Sequence, residues 1–247
     1  SSNDFEIPEK ISEYHQKDTT TLTTDPEEEI SIIEPYTEIY VNPLYEDILQ
    51  PSDLVQPDDM AVTAYSNEEY LSTPEAAGTQ LRASMIQRQK TIVIFYQISA
   101  DQNVPVHDIV DYSLIHTGKP AEGDYLRWNM AGYAIQVTGY KKDNIQYLTL
   151  QYTLTYHTTA TQEAELTTDV QQIINQLSLS SKNDYEKIRT IYDYICQNVS
   201  YDYANLDDST YMLKYTAYAA LKHHTAVCQG NELLFYRLAL QPANESR

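Results

Sequence analysis

The cysteine at position 228 is the residue of this sequence best suited to covalent chemistry. It lies in Thr225-Ala-Val-Cys-Gln-Gly230, at the start of an apolar run that predicts a helix from about Cys228 to Leu240. A thiol reacts as its thiolate, and the free N–H groups and the dipole at a helix N terminus stabilise that anion. The backbone N–H of Cys228 is also a candidate donor to an oxyanion. The pattern predicts that Cys228 is a nucleophile. The alternative is that Cys228 is only a small buried side chain at the start of a helix.

Histidines are the usual bases for such a thiol. His223 and His224 precede Cys228 by five and four residues, and we expect them to face solvent at the end of a short helix, with an approach to the sulfur as the alternative. The remaining histidines are His15, His107, His116 and His157.

The second cysteine, Cys196, is predicted to be a buried structural thiol at the edge of an amphipathic helix. The alternative is a disulfide between Cys196 and Cys228, which would exclude nucleophilic chemistry.

Helices are predicted to position Cys228. Asn183 with Glu186 has the spacing of a capping box, and the apolar residues that follow recur at helical intervals. The apolar faces of three predicted helices are Val170, Ile173, Ile174 and Leu177; then Ile188, Ile191, Tyr192, Ile195 and Val199; and, in the last helix, Leu233, Leu234 and Leu238. A short alanine-rich helix is predicted over Thr216 to Leu221.

Upstream, residues 61–165 are predicted to form a small α+β domain. The segment Ile145 to Tyr156 alternates apolar and polar residues and predicts a strand, paired as an antiparallel hairpin with Tyr133 to Thr138 through a turn at Lys141 to Asn144. Thr73 and Pro74 begin a helix predicted to end near Lys90. A buried strand is predicted over Thr91 to Ile98, and another helix over Val106 to Thr117.

Residues 1–60 are predicted to be an acidic tail or linker. Residues 1–70 carry 18 of the 36 acidic side chains and only 2 of the 16 Lys and Arg residues. Such a segment gains too little from burial to offset the entropy of ordering. The apolar stretches at 30–33 and 42–49 are expected to dock on a folded surface.

Composition narrows the function classes. The net charge is −20, and no basic stripe suggests nucleic-acid binding. No apolar run approaches the roughly 20 residues that span a bilayer, so we expect no membrane insertion. The first residues lack the pattern of a signal peptide. No metal or cofactor motif is found. The 23 tyrosines predict half-buried aromatic packing, and a sugar-binding surface is the alternative.

Four blocks in order resemble the bacterial transglutaminase-like superfamily, which has a papain-like Cys-His-Asp arrangement. They are the helix at 186–195, Asn198-Val-Ser-Tyr-Asp-Tyr203, Ala217-Tyr-Ala-Ala-Leu221 and Ala226-Val-Cys-Gln-Gly230. The resemblance implies that residues 166–247 are the helical front part of such a domain, with Cys228 as its nucleophile. The family usually has an aromatic residue where Asn231 stands, and often Gly-Lys where His224-Thr225 stands.

The resemblance implies a cysteine protease, deamidase or acyl transferase acting on protein or peptide amides, secreted or at the surface of a Gram-positive bacterium. The family's His and Asp lie on strands downstream of the cysteine helix, beyond Arg247, so we expect no turnover from the chain as given. The alternative is a non-catalytic cell-surface binding or structural module. We also expect the last helix to leave Leu233, Leu234 and Leu238 uncovered, which would favour self-association.

Overall fold

An antiparallel sheet is the framework of the upstream half. The computed structural model describes residues 21–25, 28–58 and 69–242. Six strands of the described chain form this sheet: β1 (Thr21–Asp25), β2 (Glu28–Ile32), β3 (Tyr36–Val41), β4 (Thr91–Ser99), β5 (Met130–Lys142) and β6 (Ile145–Tyr156). Their order is β1-β2-β5-β6-β4, and β3 pairs with the edge of β5 that β2 also uses. The predicted α+β class is confirmed.

The hairpin of β5 and β6 is the centre of the sheet. β6 has the predicted bounds, whereas β5 is longer than its predicted segment at both ends. Lys142 pairs with Ile145, and the two residues between them, Asp143 and Asn144, have φ values of 51° and 62°. Left-handed residues at both positions are typical of a type I′ hairpin turn, and Asn tolerates them well.

Two helices, α1 (Pro74–Ile86) and α2 (Val106–Ser113), cover one face of the sheet. Thr73 caps α1 as predicted, accepting a hydrogen bond from the Ala76 N–H at 3.2 Å. The helix ends four residues before the predicted Lys90, because the chain turns at Arg88, whose φ is 54°. The helix α2 also ends four residues before its predicted end at Thr117. The strand β4 was predicted to be buried and is half-buried, with Ile92, Ile94 and Tyr96 in the core.

The assignment of residues 1–60 to a tail or linker is wrong for 21–25 and 28–58, where β1 pairs with β2. β2 and β3 pair with β5, and the docking predicted for the two apolar stretches is observed. Tyr45 is fully buried, its hydroxyl donating to the Trp128 carbonyl, and Leu49 and Leu54 join it in a core of their own. Residues 1–20, 26–27 and 59–60 lie outside the described residues, so the prediction is not tested there.

Helices make up most of the second half. The short helix α3 (Asp124–Asn129) precedes β5, and after β6 come α4 (Ala160–Gln176), α5 (Asp184–Asn198) and α6 (Cys228–Leu240). The short helix predicted over Thr216 to Leu221 overlaps a π-helical turn at Ala219–His223. The predicted domain boundary between 165 and 166 falls inside α4. Asn183 caps α5, accepting a hydrogen bond from the Glu186 N–H at 2.9 Å.

The predicted exposure of the last helix is wrong. Leu234 and Leu238 are completely buried and Leu233 nearly so, because α6 packs against α4, α5 and Tyr125. Self-association through these leucines is therefore excluded in this fold. Among residues 21–25, 28–58 and 69–242, no helix combines the length and apolarity that a membrane crossing needs.

Candidate functional site

Cys228 is the first residue of α6, as predicted, and its side chain is exposed and free of any disulfide. The alternative of a small buried side chain is thereby excluded. The preceding Val227 is extended and has no capping side chain. Its carbonyl accepts from the N–H groups of Gly230 at 3.0 Å and Asn231 at 3.3 Å. No side chain caps the first turn, and the N–H groups of Cys228 and Gln229 are the donors there that the Val227 carbonyl does not occupy.

A two-stranded parallel sheet leads the chain to Cys228. Its strands are β7 (Ser200–Tyr201) and β8 (Thr225–Ala226), and Tyr201 pairs with Ala226. The Asp202 N–H donates to the Ala226 carbonyl at 3.1 Å. This pairing brings the end of α5 and the segment after it alongside the two residues that precede Val227.

Gly230 allows the start of α6 to lie against the segment 212–216. A Cβ at this position would lie 2.8 Å from the Thr216 carbonyl oxygen and 3.0 Å from that of Lys214. The Val227 N–H donates to the same Lys214 carbonyl at 3.1 Å. Close backbone approach, rather than a special φ, explains why glycine stands two residues after the cysteine.

The loop at 201–211 forms an aromatic rim next to β8. The rings of Tyr201 and Tyr203 have their centroids 4.7 Å apart, and the side chains of both are exposed. Within the loop, the buried Asp202 carboxylate accepts three hydrogen bonds from Asn205, two from its side chain and one from its backbone. The rim is therefore an ordered feature built from exposed aromatic side chains.

Cys196 is exposed and free, so the prediction of a buried structural thiol and the alternative of a disulfide are both wrong. It lies on α5, at the mouth of an apolar groove of about 330 Å³ between α5 and α6. The groove is lined by Tyr192, Ile195, Cys196, Asn231, Glu232 and Phe235. Of the predicted α5 face, Ile191 and Ile195 are buried, while Ile188 and Tyr192 are 54% and 62% exposed.

The two histidines nearest to Cys228 in the sequence are not hydrogen-bonded to its thiol. His223 and His224 are exposed, as expected, and within the described chain neither ring forms a hydrogen bond to Cys228. His224 has a φ of 56° and turns the chain into β8. Farther away, His107 lies between the Tyr133 hydroxyl and Glu38, 3.1 Å from the latter. Burial, with Arg88 nearby, lowers the pKa of His157 to about 4.

Sequence reasoning did not identify Lys214, a buried lysine that contacts both the loop 201–211 and Val227. Its only signal is a single charge between apolar residues in Tyr211-Met-Leu-Lys-Tyr215, which is compatible with a snorkelling surface lysine. Among the described residues, no group of three or more His, Cys, Asp or Glu side chains is arranged to hold a metal ion.

Comparison of the chain with protein-family models, with curated proteins and with solved structures finds no match in any of the three. The resemblance carried by the four sequence blocks therefore rests on those residues alone.

Proposed function

We propose that the protein uses Cys228 as a nucleophile toward acyl groups of proteins or peptides, in the manner of a transglutaminase-like cysteine protease or acyl transferase. The observation that supports this most is the exposed, unpaired thiol at the first position of α6. A buried or disulfide-bonded Cys228 would have removed the basis for it.

The proposed reaction has two halves. The Cys228 thiol loses its proton to solvent, the thiolate attacks the carbonyl carbon of an amide, the C–N bond breaks, and the amine leaves with a proton taken from solvent, so that a thioester remains on the sulfur. Water or a second amine then attacks the thioester and returns the thiol. Water at a peptide bond gives cleavage, water at a glutamine side chain gives deamidation, and an amine gives a cross-link.

The residues around Cys228 support the attack itself more than the proton transfers. The N–H groups of Cys228 and Gln229, which the Val227 carbonyl does not occupy, are candidates to hold the oxyanion. Among the described residues no histidine is hydrogen-bonded to the thiol, so an acyl donor with a leaving group that needs no proton is the appropriate first substrate. An aryl ester such as p-nitrophenyl acetate meets this condition, because p-nitrophenolate departs as an anion.

The experiment is a single-turnover acylation. In a Cys196→Ser background, p-nitrophenyl acetate should release one equivalent of p-nitrophenolate per chain and leave an acetyl group on Cys228, located by peptide mass spectrometry. The matched control is Cys228→Ser in the same background, which should give neither product. Acetylation that falls only on lysines, at the same rate in both proteins, would reject the proposal.

The groove between α5 and α6 favours a second candidate, a non-catalytic module that binds a protein partner. Tyr185, Ile188 and Tyr192 form an exposed apolar stripe on α5 beside the groove. Large exposed apolar patches mark interaction surfaces. Under this alternative Cys228 would react with p-nitrophenyl acetate no faster than a small free thiol, so the rate of p-nitrophenolate release, compared with that given by N-acetylcysteine, separates the two. A secreted or cell-surface location belongs to both proposals and rests on the sequence resemblance.

A further inference from the structure

Lys214 has a buried ammonium group with a complete set of acceptors. The residue is 1% exposed, and its Nζ donates to the carbonyls of Asn205 at 2.7 Å, Leu206 at 3.2 Å and Asp208 at 2.8 Å. An ammonium group has three N–H donors, and each has a carbonyl here. A buried charge is retained only when it is satisfied in this way.

The three acceptors all belong to the loop 201–211. Most of this loop is exposed, and apart from Asp202 it contributes no buried side chain. The loop is therefore held to the protein by hydrogen bonds from the Lys214 side chain rather than by buried apolar side chains of its own. At its upstream end are the two residues of the aromatic rim, Tyr201, which is also the last residue of β7, and Tyr203.

The main chain of Lys214 anchors the approach to Cys228. Its carbonyl accepts from the Val227 N–H at 3.1 Å and lies against Gly230 in the first turn of α6. One residue thus holds the loop through its side chain and the residue before the cysteine through its backbone.

We propose that Lys214 is a positioning residue of the Cys228 site, which keeps the aromatic rim in place as a wall for an acyl substrate carrying an apolar side chain. This inference rests on the proposed function of Cys228. Two tilted phenol rings give an apolar surface with polar edges, which suits the apolar part of a peptide more than a charged group.

The test compares two alkylating reagents with the same reactive group, iodoacetamide and N-(2-phenylethyl)iodoacetamide, in a Cys196→Ser background. The ratio of their rates at Cys228 reports contact of the phenyl group with the rim, independently of the reactivity of the thiol. The parent should prefer the phenylethyl reagent, and Lys214→Met should lower that ratio about fivefold, the factor for loss of one modest contact.

The matched control is Lys187→Met. The Lys187 ammonium donates to the Ala239 carbonyl at 2.6 Å, at the other end of α6, so this variant also removes a lysine-to-carbonyl bond, but one that does not involve the loop 201–211. Its rate ratio should equal that of the parent, whatever its melting temperature. A folded Lys214→Met protein with the parent's ratio would overturn the inference.

If Lys214→Met does not fold, Asn205→Ala is the second variant that tests the inference. It removes the two side-chain bonds to Asp202 and loosens the same loop, while the Lys214 ammonium keeps its three backbone acceptors. We expect faster proteolytic cleavage within 201–211 together with a lowered rate ratio. Faster cleavage at an unchanged ratio would overturn the inference. Alkylation of Cys228 does not require catalytic turnover. If the aryl ester fails to acylate Cys228 but the rate ratio still depends on Lys214, the proposed function is rejected and the positioning role of Lys214 is not.

Discussion

Arg237 on α6 and Glu163 on α4 form a buried ion pair, with 3.3 Å between Nη1 and Oε2 and both side chains nearly inaccessible. Arg88, from the upstream half, lies 3.3 Å from the other carboxylate oxygen. The Tyr125 hydroxyl donates to Glu163 at 2.7 Å, and its ring faces the Arg237 guanidinium. Glu163 therefore joins the sheet-bearing half to the helix that begins at Cys228.

The substitution Glu163→Gln should be strongly destabilising. The glutamine amide could keep the shape of the cluster, but Arg88 and Arg237 would remain buried without their counter-charge, which costs about 3 kcal/mol or more. Urea unfolding measures the change. The control on the same helix is Asp169→Asn, which breaks the more exposed pair with Lys222 and should cost less than about 1 kcal/mol. Equal costs for the two variants would contradict this account of the cluster.

Gly230→Ala should destabilise the protein although alanine is the better helix former. In an open helix this change gains about 1 kcal/mol. Here the added Cβ would meet the Thr216 carbonyl at 2.8 Å and the Ala226 Cβ at 2.7 Å. We expect a net loss of about 1–3 kcal/mol from this overpacking. Urea unfolding measures the sign of the change in unfolding free energy. A gain in stability would mean that α6 does not lie this close to residues 214–216.

Two isoleucines on α5 should respond differently to truncation. Ile191 is completely buried, and Ile191→Ala should cost about 2–5 kcal/mol by opening a cavity. Ile188, one turn earlier, is largely exposed, and Ile188→Ala should change stability by less than about 0.5 kcal/mol. Thermal or urea unfolding of both variants checks the difference. Similar large losses would mean that the outer face of α5 is covered in solution.

Stability should fall as the pH drops from about 6.5 toward 4, partly because of His157. Burial, with a smaller effect of Arg88, lowers the pKa of this imidazole from 6.5 to about 4. The unfolded chain therefore takes up the proton first, so the contribution of His157 is complete above pH 6.5 and is lost toward pH 4. This loss of unfolding free energy amounts to about 3 kcal/mol at most.

The measurement for His157 is urea unfolding at pH 7.5 and pH 4.5 in the parent and in His157→Gln. The parent should lose more stability between the two pH values than the variant, whose side chain does not titrate. Equal losses would show that protonation of His157 makes no contribution.

Local patterns in the sequence predicted much of this fold. The bounds of β6 follow from its strict alternation, and the first residue of α6 follows from the apolar run after Cys228. The end of α1 was missed because Arg88 adopts a left-handed conformation that nothing in the neighbouring residues requires. The first turns of α4 were missed although Thr159 and Gln162 form a capping box there.

Contacts between distant residues explain the remaining differences. The sequence of β3 alone resembles an acidic linker. Its pairing with β5 stabilises it as a strand, and the residues of β3 by themselves do not indicate that pairing. Glu163 and Arg237 are 74 residues apart, so each looks like an ordinary surface charge. Helical periodicity predicted an apolar face on α5 and on α6, but only packing decides that Ile188 is exposed and Leu234 is buried.

The most direct test of the central claim, that Cys228 occupies a nucleophile's position, is the rate of its alkylation by iodoacetamide at pH 6.5 in the Cys196→Ser protein, native and unfolded in urea. A thiol activated by the start of α6 should react at least about tenfold faster in the native protein, because helix N termini and their free donors favour the thiolate. A native rate equal to or below the unfolded rate would contradict the claim.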